Sequence, residues 1–128
     1  MIDSSPRIAP WNLGLRLCLE LAALVGLGWA GWHLGSGVLA LVLAVAAPVV
    51  GATLWGVFAV PDDASRNGNA PVPVPGIVRL LIEVLVLFGG SVAFVVAGAP
   101  VVGWGLVGLN VLHMAFEIPR LRWLLRRN

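Results

Sequence analysis

The chain has 128 residues, of which 59% are hydrophobic and 11% charged, with a formal net charge of +2. Soluble domains carry about 25% charged residues, so a soluble core is a poor reading, and a mean hydropathy of +0.97 points to a membrane instead. All eight basic residues are arginine. They form no basic face interleaved with aromatics, so no nucleic-acid partner is expected.

The residues before Trp11 are polar enough to lie outside the bilayer. A first apolar run covers about residues 12–34, too long for a signal-peptide core. Its end holds Trp29, Trp32 and His33, which read as interface residues ahead of turn glycines. Cys18 lies inside this run and is expected as a buried thiol. The second run, about 37–60, carries Pro48 mid-span. The loop 61–75 follows, with Asp62, Asp63, Arg66 and an alternating Pro-Val tract, and reads as extended backbone. A third run covers about 76–98, Gly98-Ala99-Pro100 turns, and a fourth run covers about 101–118. The tail, 119–128, sets Arg120, Arg122, Arg126 and Arg127 around Trp123, Leu124 and Leu125, as expected of an amphipathic piece on an anionic surface.

Each run has close to the roughly 20 residues that a membrane span needs. The predicted fold is therefore one all-α domain over 1–128, a four-helix transmembrane bundle. Outside the apolar runs, the arginines fall in the N-terminal segment, the middle loop and the tail, and none in the two short turns. The positive-inside rule then puts both termini in the cytoplasm.

Charge inside the apolar runs is expensive and needs a reason. Arg16 and Glu20 stand four apart in the first run, and Arg79 and Glu83 repeat that spacing in the third. Leu54-Trp-Gly-Val-Phe-Ala-Val-Pro61 also matches Leu112-His-Met-Ala-Phe-Glu-Ile-Pro119 in its Leu, Phe and Pro. The halves thus read as two helical hairpins in a parallel repeat. At 1.5 Å per residue, Arg16 and Glu20 lie roughly 6 and 12 Å in from the cytoplasmic edge. Arg79 and Glu83 lie at nearly the same depths, and Asn110, His113 and Glu117 share one face of the fourth helix in that same half. Glycines at 26, 28, 31, 89, 90, 103, 105 and 108 are expected to let helices approach closely, and a homodimer through a glycine face is open.

The candidate ligand-binding residues are Arg16, Glu20, Trp55, Arg79, Glu83, Asn110 and His113. The candidate catalytic acids are Glu20, Glu83 and Glu117. Three readings of the Arg/Glu pairs stay open: a clasp between the first and third helices, an ionisable ligand, proton or cation site, or lipid-facing arginines that snorkel to the interface. His113 and Glu117 have metal-ligand spacing, but no further Cys or His completes a set, so no metal and no cofactor is expected. Glu117 beside Arg120 is expected as a solvated helix end, and Asn110 as an interhelical hydrogen bond.

The Asn12-Leu-x-Leu-Arg-Leu-x-Leu-Glu-Leu-Ala-Ala-Leu stretch, the Gly-Trp-x-Gly-Trp-His end of the first helix, Leu54-Trp-Gly-x-Phe-x-Val-Pro and Arg79-Leu-Leu-x-Glu-x-Leu-Val together resemble the YrdB-like family of small bacterial membrane proteins. The resemblance covers about residues 12–118 and implies four spans in the bacterial inner membrane. It implies no activity, since that family is one of unknown function. The Asp62 to Asn69 part of the loop looks longer than the family's. A looser likeness is to small multidrug-resistance exporters, from which the Arg before Glu20 and the second Glu in the third helix depart.

Three functions follow: a small transport-related or binding protein with an inner-leaflet Arg/Glu site for a lipid-like or small-molecule ligand; a membrane-embedded enzyme using an intramembrane Glu as general acid on a lipid-like or terpenoid substrate; and an accessory subunit whose charges serve assembly.

Overall fold

The computed structural model describes residues 6–63 and 70–127. Arg66, Asn67 and Gly68 of the loop lie outside the described residues. Five helices follow in order: α1 (Pro10–Leu34), α2 (Val38–Val57), α3 (Gly76–Val96), α4 (Pro100–Ala115) and α5 (Ile118–Arg126). Between α2 and α3, two short strands, β1 (Phe58–Ala59) and β2 (Val72–Pro73), pair in parallel.

Local chemistry sets these limits. α1, α4 and α5 each carry a proline in the first turn, where the missing N–H costs nothing and the fixed φ suits a helix. Pro75 plays a similar part as the residue before α3. α2 is entered through Gly37, whose φ of 58° favours glycine. Pro48 lies inside α2 without ending it. α2 stops at Val57, short of the expected residue 60, because Phe58 and Ala59 pair with Val72 and Pro73. The loop is thus partly strand, which the Pro-Val tract did not announce.

α1 and α3 lie at the centre. α2 packs mainly on α1, and α4 on α3, while α5 folds back against α3. The side-chain pattern is inverted relative to a soluble protein. Leu17, Leu21, Val25, Leu81 and Leu85 face outward, whereas Asn12, Arg16, Arg79, Glu83, Asn110 and His113 are buried. That arrangement suits a hydrocarbon solvent, in which apolar surface is free to face out and polar groups must find partners inside. α1, α2 and α3 are long and apolar enough to cross a membrane. The fourth expected span is broken: α4 has 16 residues, reaching about 24 Å at 1.5 Å per residue, and α5 turns away from it by 73°. Taken as one bent span, α4 and α5 make a fourth candidate. The chain is a membrane protein.

Cys18 corrects its expectation. It is exposed on the outer face of α1, because an all-apolar run carries no signal separating lipid-facing from buried positions.

The glycines divide in two. A Cβ on Gly26 would collide with the Gly90 carbonyl, and one on Gly31 would meet the Leu43 backbone at 2.5 Å. Gly103 allows a similar approach of α4 to Ser91 and Val95. Gly89, Gly105 and Gly108 meet nothing within 4 Å, so they thin no described helix contact. Gly105→Ala should therefore raise stability by about 0.5–1 kcal/mol through helix propensity. Thermal unfolding in detergent checks this, and a lowered midpoint would show that the site is occupied.

Candidate functional site

The buried polar residues converge on one carboxylate. Glu83, on α3, is fully buried. Its Oε1 accepts from Arg16 Nη2 at 2.9 Å and from Arg120 Nη2, and its Oε2 accepts from Arg120 Nη1 at 3.1 Å. Arg79 Nε approaches Oε1 at 3.4 Å from one turn earlier on the same helix. Three guanidinium groups from α1, α3 and α5 thus surround one acid. Such a buried ion network is costly to break, because removing one member strands the others in low dielectric.

Each arginine has a second task. Arg16 Nε pairs with Glu20 Oε1 at 3.2 Å. Its Nη1 lies 3.3 Å from His113 Nε2 and 3.6 Å from Glu117 Oε2. Arg79 Nη1 donates to the carbonyls of Trp55 and Phe58 at 2.6 and 2.8 Å. Those carbonyls belong to the end of α2, where the backbone acceptors have run out of helical donors. Arg120 grips Asp63 with two parallel bonds, Nε to Oδ1 at 2.7 Å and Nη2 to Oδ2 at 2.6 Å. This fork ties the start of the loop to α5 and to Glu83. Asp63 and Glu83, together with burial, act on Arg120 in opposite senses: burial works against its charge, but their hydrogen bonds and negative charge prevail and raise its pKa above the ordinary arginine range. The Trp55 ring lies near two guanidinium carbons, 4.8 Å from Arg16 and 4.5 Å from Arg79, within cation–π range.

Both i,i+4 pairs read from the sequence therefore form, and the first and third helices are joined directly by Arg16 and Glu83. Arg16, Glu20, Trp55, Arg79, Glu83, His113 and Glu117 all belong to this cluster. Asn110 stands apart. Its Nδ2 donates across to Ser91 Oγ at 3.0 Å and the Leu87 carbonyl on α3, and within α4 to the Leu106 carbonyl, so it joins α4 to α3.

Glu117 corrects its expectation. It is 2% exposed rather than solvated, because the bend between α4 and α5 turns it inward and brings Arg120 within 3.3 Å of its Oε1. Arg120 and Trp123 are buried too, so one face of the tail packs inside the protein. Three participants were missed as site residues. Asn12 exchanges hydrogen bonds with His113, through its Nδ2 to the His113 carbonyl and its Oδ1 to Nδ1. Asp63 and Arg120 are the other two. A signal existed only for Arg120, which follows Glu117 by three residues across a proline.

Cavities show which part of the cluster can meet a ligand. A groove of about 450 Å³ runs between α1, α2 and α3, lined by Leu27, Leu43, Val50, Leu54, Leu85 and Gly89 among others, all apolar. A smaller cavity of about 110 Å³ is lined by Glu20, Leu21, Leu24, Ala52, Trp55 and Val86. Val86 lines both. A third, of about 490 Å³, lies outside the cluster, between Pro61, Pro73 and Arg126. Of the cluster carboxylates Glu20, Asp63, Glu83 and Glu117, Glu20 alone lines any of these three. Its side chain is 22% exposed, while those of the other three are fully closed off.

Residues 14–111 match the model of a family described as protein of unknown function, DUF2568. The chain is also 36% identical over 116 residues to the "Uncharacterized protein YrdB" of Bacillus subtilis (strain 168), an overlap covering 91% of this chain and 94% of that protein. No solved structure matches. The matched stretch contains Arg16, Glu20, Trp55, Asp63, Arg79, Glu83 and Asn110, while His113, Glu117 and Arg120 lie past its end. With most of its length matched by both comparisons, the chain belongs to the DUF2568 family, the YrdB-like proteins of unknown function.

Proposed function

We propose that this protein binds a membrane-dissolved, amine-bearing amphiphile, its head on Glu20 and its tail in the α1–α2–α3 groove, as a transport-related protein would. The observation that carries this reading is the position of Glu20, the one cluster acid that lines any of the three cavities described, beside an apolar groove that shares Val86 with it. An acid with one guanidinium contact has acceptor capacity left for a cationic donor. Trp55 beside it adds an aromatic wall. The groove is too apolar to hold a headgroup, and its volume of about 450 Å³ leaves space for an alkyl chain. The rest of the cluster then acts as the clasp, a reading favoured by the three guanidinium groups on Glu83.

In this reading the protein is a four-helix transmembrane bundle in the bacterial inner membrane, with α4 as the short fourth span and α5 at its cytoplasmic end. Both termini face the cytoplasm, in keeping with Arg7 and the tail arginines. Two parallel-repeat hairpins, α1–α2 and α3–α4, are supported by the central α1–α3 pair and by the two equivalent ion pairs.

Binding of an alkylammonium to the detergent-solubilised protein, followed by native mass spectrometry, tests the site. A charge-assisted hydrogen bond contributes about 1.5–3 kcal/mol, so Glu20→Gln should weaken binding by roughly ten- to a hundredfold. An alkyl sulfate of the same chain length should bind worse than the amine. Unchanged amine binding in the variant, or a preference for the sulfate, would remove the reading.

A further inference from the structure

We infer that Arg126 and Arg127 form a binding site for a phosphate group, carried by an anionic phospholipid at the edge of the bilayer. The site is the cavity of about 490 Å³ that lies outside the buried cluster. Its walls come from three places: Pro61 after β1, the Pro73-Val74-Pro75 stretch leading into α3, and the two arginines at the end of α5. Gly76 opens α3, and a Cβ there would collide with the Leu124 carbonyl, so glycine is what lets the last turn of α5 sit this close. The Gly76 N–H donates to the Arg127 carbonyl at 2.6 Å, which fixes the end of α5 on the start of α3. The Val74 N–H donates to the Ala59 carbonyl at 2.8 Å, which fixes the opposite wall.

The chemistry of these walls favours an anion. Prolines have no N–H, and the Val74 N–H is already used, so the charged donors of the lining are the two guanidinium groups. No acidic side chain lines the cavity among the described residues. Asp62 touches Arg127 Nη2 from outside the lining at 3.5 Å, with its side chain 52% exposed. That long, solvated contact is weak, whereas a phosphate accepts from two guanidinium forks at once. The Arg127 guanidinium lies 5.4 Å from the ring of the buried Trp123, which holds it in place. The start of α3 brings the positive end of its helix dipole to Pro75, opposing the negative end of α5.

Placement points to a lipid as the source. α5 turns 73° from α4, so it lies across the end of the bundle, at the level of bilayer headgroups. Ile118 and Leu125 are exposed on it beside Arg122 and Arg126, as in a helix that rests apolar residues among acyl chains and snorkels its arginines to the phosphates. A free phosphate offers the same oxygens without chains to dissolve there. The site stands independently of any ligand at Glu20, which lines a different cavity.

Native mass spectrometry of the detergent-solubilised protein, with phosphatidylglycerol as the probe, tests the site. The lipid should be retained, and diacylglycerol of the same chains, which lacks the phosphate, should not. An arginine beside an anionic headgroup strengthens binding by roughly fivefold, so Arg126→Gln should weaken retention by about that factor and the Arg126→Gln/Arg127→Gln pair by more than about tenfold. The control is Arg122→Gln, at an exposed position of the same helix that does not line the cavity. It removes the same charge and should change retention by less than about twofold. Displacement of the lipid by inorganic phosphate at equal concentration would overturn the lipid as the source and leave the phosphate seat. Equal losses in Arg122→Gln and Arg126→Gln overturn the inference, because they describe a diffuse basic surface. Full retention in the double variant, or equal retention of diacylglycerol, overturns it as well.

Discussion

Glu83→Gln should lower stability by roughly 3–5 kcal/mol, the cost of removing one partner from a buried ion network. The amide keeps the size and shape of the acid but leaves Arg16 and Arg120 facing a neutral group, and Arg79 loses its nearest acid. None of the three can swing to solvent, since each is 1–2% exposed. The comparison is Glu20→Gln, whose partly open side chain and single guanidinium contact predict a loss under about 1 kcal/mol. Folded yield and the unfolding midpoint in detergent measure both. If the two variants are equally stable, Glu83 is not the centre of the clasp. Adding Arg16→Gln to Glu83→Gln should recover part of the loss, because it removes one of the stranded charges.

The second large effect is expected at Gly90. A Cβ there would lie 2.5 Å from the Ala23 Cα and 2.6 Å from its carbonyl oxygen, and both are backbone atoms that no rotamer change can move. Gly90→Ala must therefore push α1 away from α3. Overpacking typically costs about 1–3 kcal/mol, and this site belongs at the upper end, because the same movement stretches the contact between Arg16 and Glu83. Gly89→Ala is the control: its neighbour position meets nothing within 4 Å. Equal midpoints for the two alanine variants would show that α1 and α3 are less tightly seated than described.

The charged positions were legible because a membrane span makes them stand out. Arg16, Glu20, Arg79 and Glu83 interrupt apolar runs, and their spacing of four places each pair on one helix face. The direct bond between Arg16 and Glu83 follows once two such helices lie side by side. Asp63 and Arg120 were not legible as partners. They sit in a loop and a tail, where charge is ordinary, and only the reversal of α5 over α3 brings them to Glu83. The same bend buries Glu117, which its sequence neighbours present as a helix end. Cys18 marks the opposite limit. Apolar side chains occupy both faces of α1, so hydrophobicity alone does not tell which of them meets lipid.

The doubled contacts of Arg16 and Glu83 bear on how the chain enters the bilayer. Each of α1 and α3 carries an arginine and a glutamate one turn apart, so each can enter as a helix whose charges cancel internally. Neither helix then carries a charge without a partner of its own. When α1 meets α3, Arg16 reaches across to Glu83 while keeping Glu20, and Arg79 turns to the end of α2. The pairs that ease each helix into lipid are the ones that later lock the helices together, so insertion and assembly draw on the same four side chains in succession.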